Sequence, residues 1–211
     1  KLKLSVKTVR YEDLIEDVYK KDVKYAELHK NYDIYVDIVC DLNMWLYEQR
    51  DVRRLKELFN NQLGVVSRSY KVFTKKAFLI YVLRKEMRKG AVEAHPNLWG
   101  LLQKKSRNIS GITNVAVLTS PFPDGQKFSC RHNCYYCPNE PAHEGNNWQA
   151  QPRSYLYEEP AVRRANKHKF DAYDQVTDRL GSLLMMGMEI DKLEIIIEGG
   201  TYTEYPTEYL K

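Results

Sequence analysis

The first half of the chain repeats apolar residues at intervals of three and four positions, which predicts amphipathic helices. This pattern runs from the first residue to about residue 105. Its clearest examples are the segments 11–19, 33–39, 55–59 and 78–87. The last of these is expected to end near Gly90, because basic residues fill its final turns and glycine commonly follows a helix. Residues 1–105 are therefore predicted to form a helical region, with Cys40 as a small core residue.

After residue 105 the hydrophobic pattern becomes that of an α/β fold. Residues 112–119 are β-branched and apolar, as in a buried strand, and a loop rich in Pro, Gly and Asn follows to residue 153. A helix is expected over about 171–186 and a second strand over 192–197, which Gly199-Gly200 closes. Residues 106–211 thus predict the start of a parallel α/β array, whose functional loops follow the carboxyl ends of the strands.

Two parallel strands do not make a stable sheet alone, so we expect the array to continue in residues outside this sequence. The absence of an initial Met agrees with a chain that begins inside a longer protein.

Composition and charge narrow the class of protein. The chain has 211 residues, of which 43% are hydrophobic, and no apolar run of the length that spans a membrane. No signal-peptide pattern opens it, and three of its four cysteines are clustered, which favours a reducing, cytoplasmic location over a disulfide framework. The formal net charge of +5 is compatible with an RNA partner but does not require one.

Two groups of basic residues are candidates for phosphate contacts. The first group is Arg68, Lys71, Lys75 and Lys76, and the second is Lys104, Lys105 and Arg107. Solvated helix faces and ends account for such groups most often, so an RNA contact is the minority interpretation of each group alone.

The segment Cys130–Cys137, here called the cysteine loop, carries the candidate chemistry. Cys130, Cys134 and Cys137 are separated by three and then two residues. Three thiolates from one loop can hold three irons of a [4Fe–4S] cluster and leave the fourth iron open to bind and cleave S-adenosylmethionine. A zinc ion would need a fourth ligand, which His132 or His143 could supply. On these residues alone the two alternatives are about equally supported.

The position of the cysteine loop favours the cluster. The loop follows the first predicted strand and Gly199-Gly200 follows the second, and such ends lie side by side in a parallel sheet. Glycines let a backbone approach a ligand closely, although a lone Gly-Gly is usually only a turn. Tyr136 offers a flat face to an adenine ring, or is simply a packed loop aromatic. No second Cys-x-x-Cys pair exists to complete a zinc site.

The residues around and after the cysteine loop resemble those of radical S-adenosylmethionine enzymes, specifically the Elongator catalytic subunit (tRNA uridine-34 carboxymethyl synthase). The spacing of the cysteines is the superfamily signature, and the resemblance is detailed from about residue 95 to 211. It rests downstream on Ser154-Tyr155, Glu159-Pro160, Arg164-Ala165, Phe170-Asp171, Leu184, Gly187, Asp191-Lys192 and Gly199-Gly200-Thr201, and upstream on Lys105, Arg107, Ser110-Gly111-Ile112 and Val115-Ala116-Val117. The chain departs from the family at 138–141, where Pro-Asn-Glu-Pro replaces Pro-Gly-Gly, and at Glu198, where an apolar residue is usual.

The resemblance implies a partial (βα)6 radical-SAM barrel preceded by a helical region that contacts tRNA. The implied cluster ligands are Cys130, Cys134 and Cys137. The implied S-adenosylmethionine site is Gly199, Gly200 and Thr201, with Tyr136 as the candidate adenine contact described above. Lys192 would bind acetyl-CoA, and the contacts to tRNA phosphates would come from Lys104, Lys105 and Arg107. The implied enzyme is an acyltransferase that uses acetyl-CoA to attach a carboxymethyl group at C5 of an unstacked wobble uridine.

The implied partners are tRNA and either other Elongator-type subunits or a second copy of the chain. Two alternatives remain open at this point. One is an RNA-binding or assembly subunit, stabilised by a metal or a cluster, without the full chemistry. The other is a radical S-adenosylmethionine enzyme with a different substrate.

Overall fold

The computed structural model describes residues 25–50, 53–103, 110–188, 190 and 192–211. These residues form two compact units. We call the described residues up to 103, together with Leu180–Ile190, the helical unit, and Ser110–Arg179, together with 192–211, the sheet unit. The boundary predicted near residue 105 falls among residues 104–109, outside the described part, and stays a prediction.

The elements follow the order helices, strand, helices, strand. Their bounds are α1 Ala26–Lys30, α2 Tyr32–Glu48, α3 Leu55–Ser69, α4 Lys76–Arg88, α5 Leu98–Leu102, β1 Ile112–Leu118, α6 Pro160–Lys167, α7 Ala172–Met185 and β2 Lys192–Glu198. Two 3-10 helices lie at Glu144–Asn146 and Tyr202–Glu204. None of the described helices is both long and apolar enough to cross a bilayer.

The helical unit is built on the packing of α2 against α4. The apolar stripes of these helices are fully buried, as their three- and four-residue spacing predicts. The largest fully buried side chains of the described core are Tyr35, Phe59, Phe78, Leu28, Ile38, Leu42, Leu46, Leu79, Ile80, Leu83, Leu98 and Leu102. Every regular element described between residues 25 and 103 is a helix, as predicted, whereas the predicted segment 11–19 lies outside the described residues. Cys40 is a half-buried free thiol in α2.

Part of the first basic group has structural partners in the helical unit. Lys76 Nζ donates to Asn60 Oδ1 at 2.9 Å and to the Leu101 carbonyl at 3.0 Å. Lys75 lies 4.0 Å from a Glu27 carboxylate oxygen. These contacts agree with the structural interpretation of both lysines.

The sheet unit contains β1 and β2 as a parallel pair, with the register running from Ile112 opposite Lys192 to Leu118 opposite Glu198. The α/β class and both predicted strands are confirmed. Helix α6 was not predicted, although Pro160 in its first turn is a helix-start signal. It buries Val162 and Ala165 in a small core with Leu118.

The two edges of this sheet differ. On the outer edge of β1, Gln175 Nε2 donates to the Leu118 carbonyl and the Leu118 N–H donates to Gln175 Oε1, both at 2.9 Å. Arg164 Nη2 donates to the Ala116 carbonyl at 2.6 Å. On β2, the isoleucines 195–197 are 41–56% exposed, and β1 is the only strand that pairs with β2 in the described chain. Side chains therefore close the β1 edge, while β2 is open to further pairing.

Candidate functional site

The cysteine loop and the Gly199-Gly200 turn start from the same edge of the sheet. Beyond the paired strands, the Thr119 N–H donates to the Glu198 carbonyl at 2.8 Å, so the parallel pairing reaches the point where both strands end. The chain then folds back, and the Ser129 N–H donates to the Pro121 carbonyl at 2.7 Å. This return places Ser129 and Cys130 beside the turn that follows β2.

The glycine turn approaches the cysteine loop more closely than any other residue type would allow. A Cβ on Gly200 would overlap the Ser129 carbonyl, and a Cβ on Gly199 would overlap Thr119 Oγ1. The next residue, Thr201, has its Oγ1 3.5 Å from Cys130 Sγ. The structure thus brings together Cys130, Gly200 and Thr201, which the sequence placed 70 positions apart.

A buried tyrosine that was not predicted fixes this turn. The Tyr205 hydroxyl accepts from the Gly200 N–H at 2.7 Å and shares a 2.7 Å hydrogen bond with Thr119 Oγ1. Nearby, Arg131 Nε lies 2.6 Å from a Glu204 carboxylate oxygen and ties the cysteine loop to the same segment. No motif identifies these residues, because the contacts Thr119–Tyr205 and Arg131–Glu204 join positions that are far apart in sequence. The one local feature is the recurrence of tyrosines at 202, 205 and 209.

The three cysteines of the loop are free thiols in different surroundings. Cys130 is buried, Cys137 is half-buried and Cys134 is exposed. Burial alone would raise the pKa of Cys130, but hydrogen bonds from the Thr201 hydroxyl and from the backbone of His132 and Thr201 outweigh it and lower this pKa. The negative charge of Cys134, followed by a hydrogen bond to it and the charge of Cys137, raises the pKa of Tyr136. The Tyr136 hydroxyl is therefore electrostatically coupled to the cysteine loop.

The donor set fits an iron–sulfur cluster by its chemistry. It offers three unpaired thiols from one loop, and soft thiolates are the ligands that such clusters take. Within the described residues, no group of three or more His, Cys, Asp or Glu side chains surrounds a position for a single metal ion. A four-iron cluster does not need that arrangement, because each cysteine ligates a different iron.

The two histidines considered as zinc ligands are engaged elsewhere. His143 Nδ1 accepts from the Gly145 N–H at 3.1 Å, and its Nε2 lies 3.1 Å from Glu140 Oε1. His132 Nε2 accepts from Arg131 Nε at 3.3 Å. The geometry therefore favours the thiol set over a mixed cysteine–histidine site.

Comparison with known proteins adds a family context. No protein-family model matches the chain. Over 108 residues, 51% of this chain and 20% of the relative, it is 42% identical to the tRNA uridine(34) acetyltransferase of Dehalococcoides mccartyi. Over 109 residues, 52% of this chain and 19% of the relative, it is 34% identical to Elongator complex protein 3 of Saccharomyces cerevisiae. It is also 37% identical to the tRNA uridine(34) acetyltransferase of Methanocaldococcus jannaschii over 110 residues, 52% of this chain and 19% of that protein.

The predicted resemblance to the Elongator catalytic subunit is confirmed. The matched residues make up about half of this chain and about a fifth of each relative's length.

The remaining predicted site residues are Tyr136, Lys192 and the basic group at 104–107. Tyr136 is on the cysteine loop and is 84% exposed. Lys192 is exposed at the first position of β2, and a strand of this length separates it from Gly199 by roughly 20 Å. Lys104, Lys105 and Arg107 lie outside the described residues.

Proposed function

We propose that this chain is part of a radical S-adenosylmethionine enzyme that modifies C5 of the wobble uridine of tRNA, in the manner of the Elongator catalytic subunit. The observation that carries the proposal is the contact of Cys130 with the Gly200–Thr201 turn at the shared carboxyl edge of two parallel strands. The names of the similar proteins, tRNA uridine(34) acetyltransferase and Elongator complex protein 3, support the choice of substrate.

In this proposal Cys130, Cys134 and Cys137 hold a [4Fe–4S] cluster, which when bound supplies the electron for reductive cleavage of S-adenosylmethionine. The backbone carbonyls of Gly199 and Gly200 accept from the methionine amino group, and Tyr136 lies along the adenine. Thr201 keeps the Cys130 sulfur in its buried position through the 3.5 Å contact. Tyr205 orients the turn by accepting from the Gly200 N–H.

The acyl donor and the nucleic acid are assigned by resemblance. Acetyl-CoA would provide the two carbons of a carboxymethyl group, with Lys192 as a binding residue, and Lys104, Lys105 and Arg107 would contact tRNA phosphates. We also propose that the sheet unit is the first part of a partial (βα)6 barrel. The closed β1 edge and the open β2 edge support a sheet that grows in one direction only. Other Elongator-type subunits or a second copy of the chain are proposed partners, in the cytoplasm.

Anaerobic reconstitution of the full chain tests this proposal. The protein would be loaded with iron and sulfide, reduced, and given S-adenosylmethionine, with and without tRNA and acetyl-CoA. Mass spectrometry should detect 5′-deoxyadenosine and a carboxymethyl group on the wobble uridine. Thr201→Val should lower 5′-deoxyadenosine formation, whereas Thr203→Val, two positions further along, should not.

Other results would point to the alternatives. A protein that assembles a cluster and binds tRNA, but never binds S-adenosylmethionine, would be an RNA-binding subunit. Formation of 5′-deoxyadenosine with no change to any tRNA would indicate a different substrate.

A further inference from the structure

A cavity of about 790 Å³ lies beside the cysteine loop, between residues 125–131 and 139–153. We call it the Arg153 cavity. The lining residues that matter here are Lys127, Phe128, Cys130, Arg131, Glu140 and Arg153. No residue of the Gly199–Thr201 turn is in its described lining, but Cys130, which contacts Thr201, is, so the cavity adjoins the candidate site. Its volume is in the range of sites that hold ligands of nucleotide size.

The charges lining the Arg153 cavity are mainly positive. Lys127 is exposed and forms no ion pair with a described residue. Arg153 Nη1 donates to the neutral Asn133 amide oxygen at 2.9 Å, and its Nε is buried without a partner among the described residues. Arg131 is paired with Glu204, so Lys127 and Arg153 are the cations whose charge is not balanced by an ion pair.

Glu140 is the carboxylate of the lining, and its oxygens are already engaged. One accepts from the Tyr157 N–H at 2.8 Å, and the other accepts from Asn146 Nδ2 at 3.0 Å and lies 3.1 Å from His143 Nε2. These donors stabilise the ionised carboxylate and lower the pKa of Glu140, so it keeps its negative charge. Lys127 and Arg153 together outweigh this single carboxylate, and the lining keeps a net positive charge.

Aromatic rings stand next to these cations. The Arg153 guanidinium lies over the Phe128 ring, 5.1 Å from its centroid. Phe128 is in edge contact with Phe122, whose ring is 57% exposed. A cationic groove beside exposed aromatic faces is the combination that binds single-stranded nucleic acid, because phosphates need cations and unstacked bases need flat partners.

We propose that the Arg153 cavity binds a nucleoside phosphate of single-stranded RNA, with Lys127 and Arg153 on the phosphate and the Phe122–Phe128 pair against the base. The choice of RNA among polyanions rests on the proposed function. The cavity would hold a strand next to Cys130, and its residues are additional to the basic group at 104–107.

Fluorescence anisotropy of the full chain tests this inference, with a labelled single-stranded anticodon-loop oligonucleotide as the probe. Lys127→Gln and Arg153→Met should each weaken binding roughly 5-fold and lower the slope of log affinity against log salt by about 0.7, the loss of one phosphate contact. Lys169→Gln makes the same charge change at an exposed lysine of the sheet unit that does not line the cavity. This control should bind within about 2-fold of the wild type.

A fully paired duplex of the same sequence should bind more weakly than the single strand, because its bases cannot reach the aromatic rings. Uridine monophosphate tests whether the cavity binds a free nucleotide or a nucleotide within an RNA strand. If it displaces the oligonucleotide at a concentration similar to that of the oligonucleotide itself, the cavity is a mononucleotide site and the RNA proposal is wrong.

The inference fails if both variants bind the oligonucleotide as the wild type does. If Arg153→Met does not fold, Lys127→Gln still provides the test, since Lys127 is exposed and forms no ion pair with a described residue. Cleavage of S-adenosylmethionine by the wild type without RNA reports the proposed function separately. If the wild type does not cleave S-adenosylmethionine but the variants still bind RNA more weakly, the proposed enzyme activity is wrong and the Arg153 cavity is still an RNA site.

Discussion

The backbone of Gly200 lies against the Ser129 carbonyl, so closely that a methyl group on Gly200 would overlap it. Ser129 immediately precedes the first cysteine of the cysteine loop, and Gly200 sits in the turn that closes β2. This contact fixes the distance between a group bound by the cysteine loop and the backbone of the turn. It therefore determines whether the cysteine loop and the turn can bind the same molecule.

Gly200→Ala should separate the cysteine loop from the turn. The obstructing atoms are backbone, which cannot rotate away, so we expect a loss of about 1–3 kcal/mol in unfolding free energy and at least roughly 10-fold weaker binding of S-adenosylmethionine. Gly100→Ala is the control, because a Cβ there meets no atom within 4 Å and alanine favours a helix. Equal stability and binding in the Gly200 variant would contradict the contact. Thermal unfolding and equilibrium dialysis are the measurements.

Tyr205→Phe should show that the glycine turn is held by one hydroxyl. The change removes the acceptor of the Gly200 N–H and the partner of Thr119 Oγ1. Buried groups left without partners cost about 1–3 kcal/mol each, and chemical denaturation should show a loss of that order. Tyr173→Phe makes the same change at an exposed tyrosine and should leave the unfolding midpoint unchanged. If both variants unfold alike, the Tyr205 hydroxyl does not hold the turn.

The sequence was sufficient to predict the parts of the site that follow from strand order. Cysteines after one strand and glycines after the next had to meet, since parallel strands end at a common edge. The contacts of Tyr205 were beyond prediction, because Thr119 and Tyr205 are 86 residues apart and neither belongs to a motif.

Gln175→Leu should open the outer edge of β1. Gln175 is fully buried, and its amide pairs with both backbone groups of Leu118. Leucine fills the space but leaves an N–H and a carbonyl unpaired, so we expect a loss of about 2–4 kcal/mol in unfolding free energy. Gln149→Leu, at an exposed amide of the same unit, is the matched control. A loss in the Gln175 variant no larger than in the control would mean that the amide does not close the edge.

Glu86→Gln should make the stability of the helical unit less dependent on pH. Burial alone would raise the pKa of Glu86, but hydrogen bonds from Lys89 and Tyr32, and the charges of Lys89 and Lys85, outweigh it and lower this pKa below the ordinary 4.5. A lowered pKa in the folded state stabilises the protein above pH 4.5, and this contribution is lost as the pH falls through the folded-state pKa.

At pH 7 the Glu86→Gln variant should be less stable than the wild type by about 1–3 kcal/mol, and the difference should shrink as the solution is acidified below pH 4.5. Glu57→Gln, at a largely exposed carboxylate, should show little change at either pH. A gap between Glu86→Gln and wild type that stays constant from pH 7 into acid would contradict this assignment. Urea denaturation across the pH range provides the measurement.

The errors of sequence interpretation have physical causes. Helix α6 is short, with only Val162 and Ala165 buried, so its apolar spacing is too brief to show a period. The isoleucines of β2 favoured a parallel sheet, which is correct, yet they remain exposed. The apolar composition of a strand indicates that its side chains can be buried. Whether they are buried depends on which other segments cover the faces of the sheet.

The central claim is that Cys130, Cys134 and Cys137 together hold one iron–sulfur cluster. Counting iron and sulfide per chain after anaerobic reconstitution tests it most directly, in the wild type, in Cys137→Ser and in Cys40→Ser, which changes the thiol outside the loop. The account predicts about four irons per chain, with the visible absorbance of a cluster, in the wild type and in Cys40→Ser, and a severe loss of both in Cys137→Ser. A colourless wild-type protein that binds one zinc ion, or equal iron in all three proteins, would contradict it.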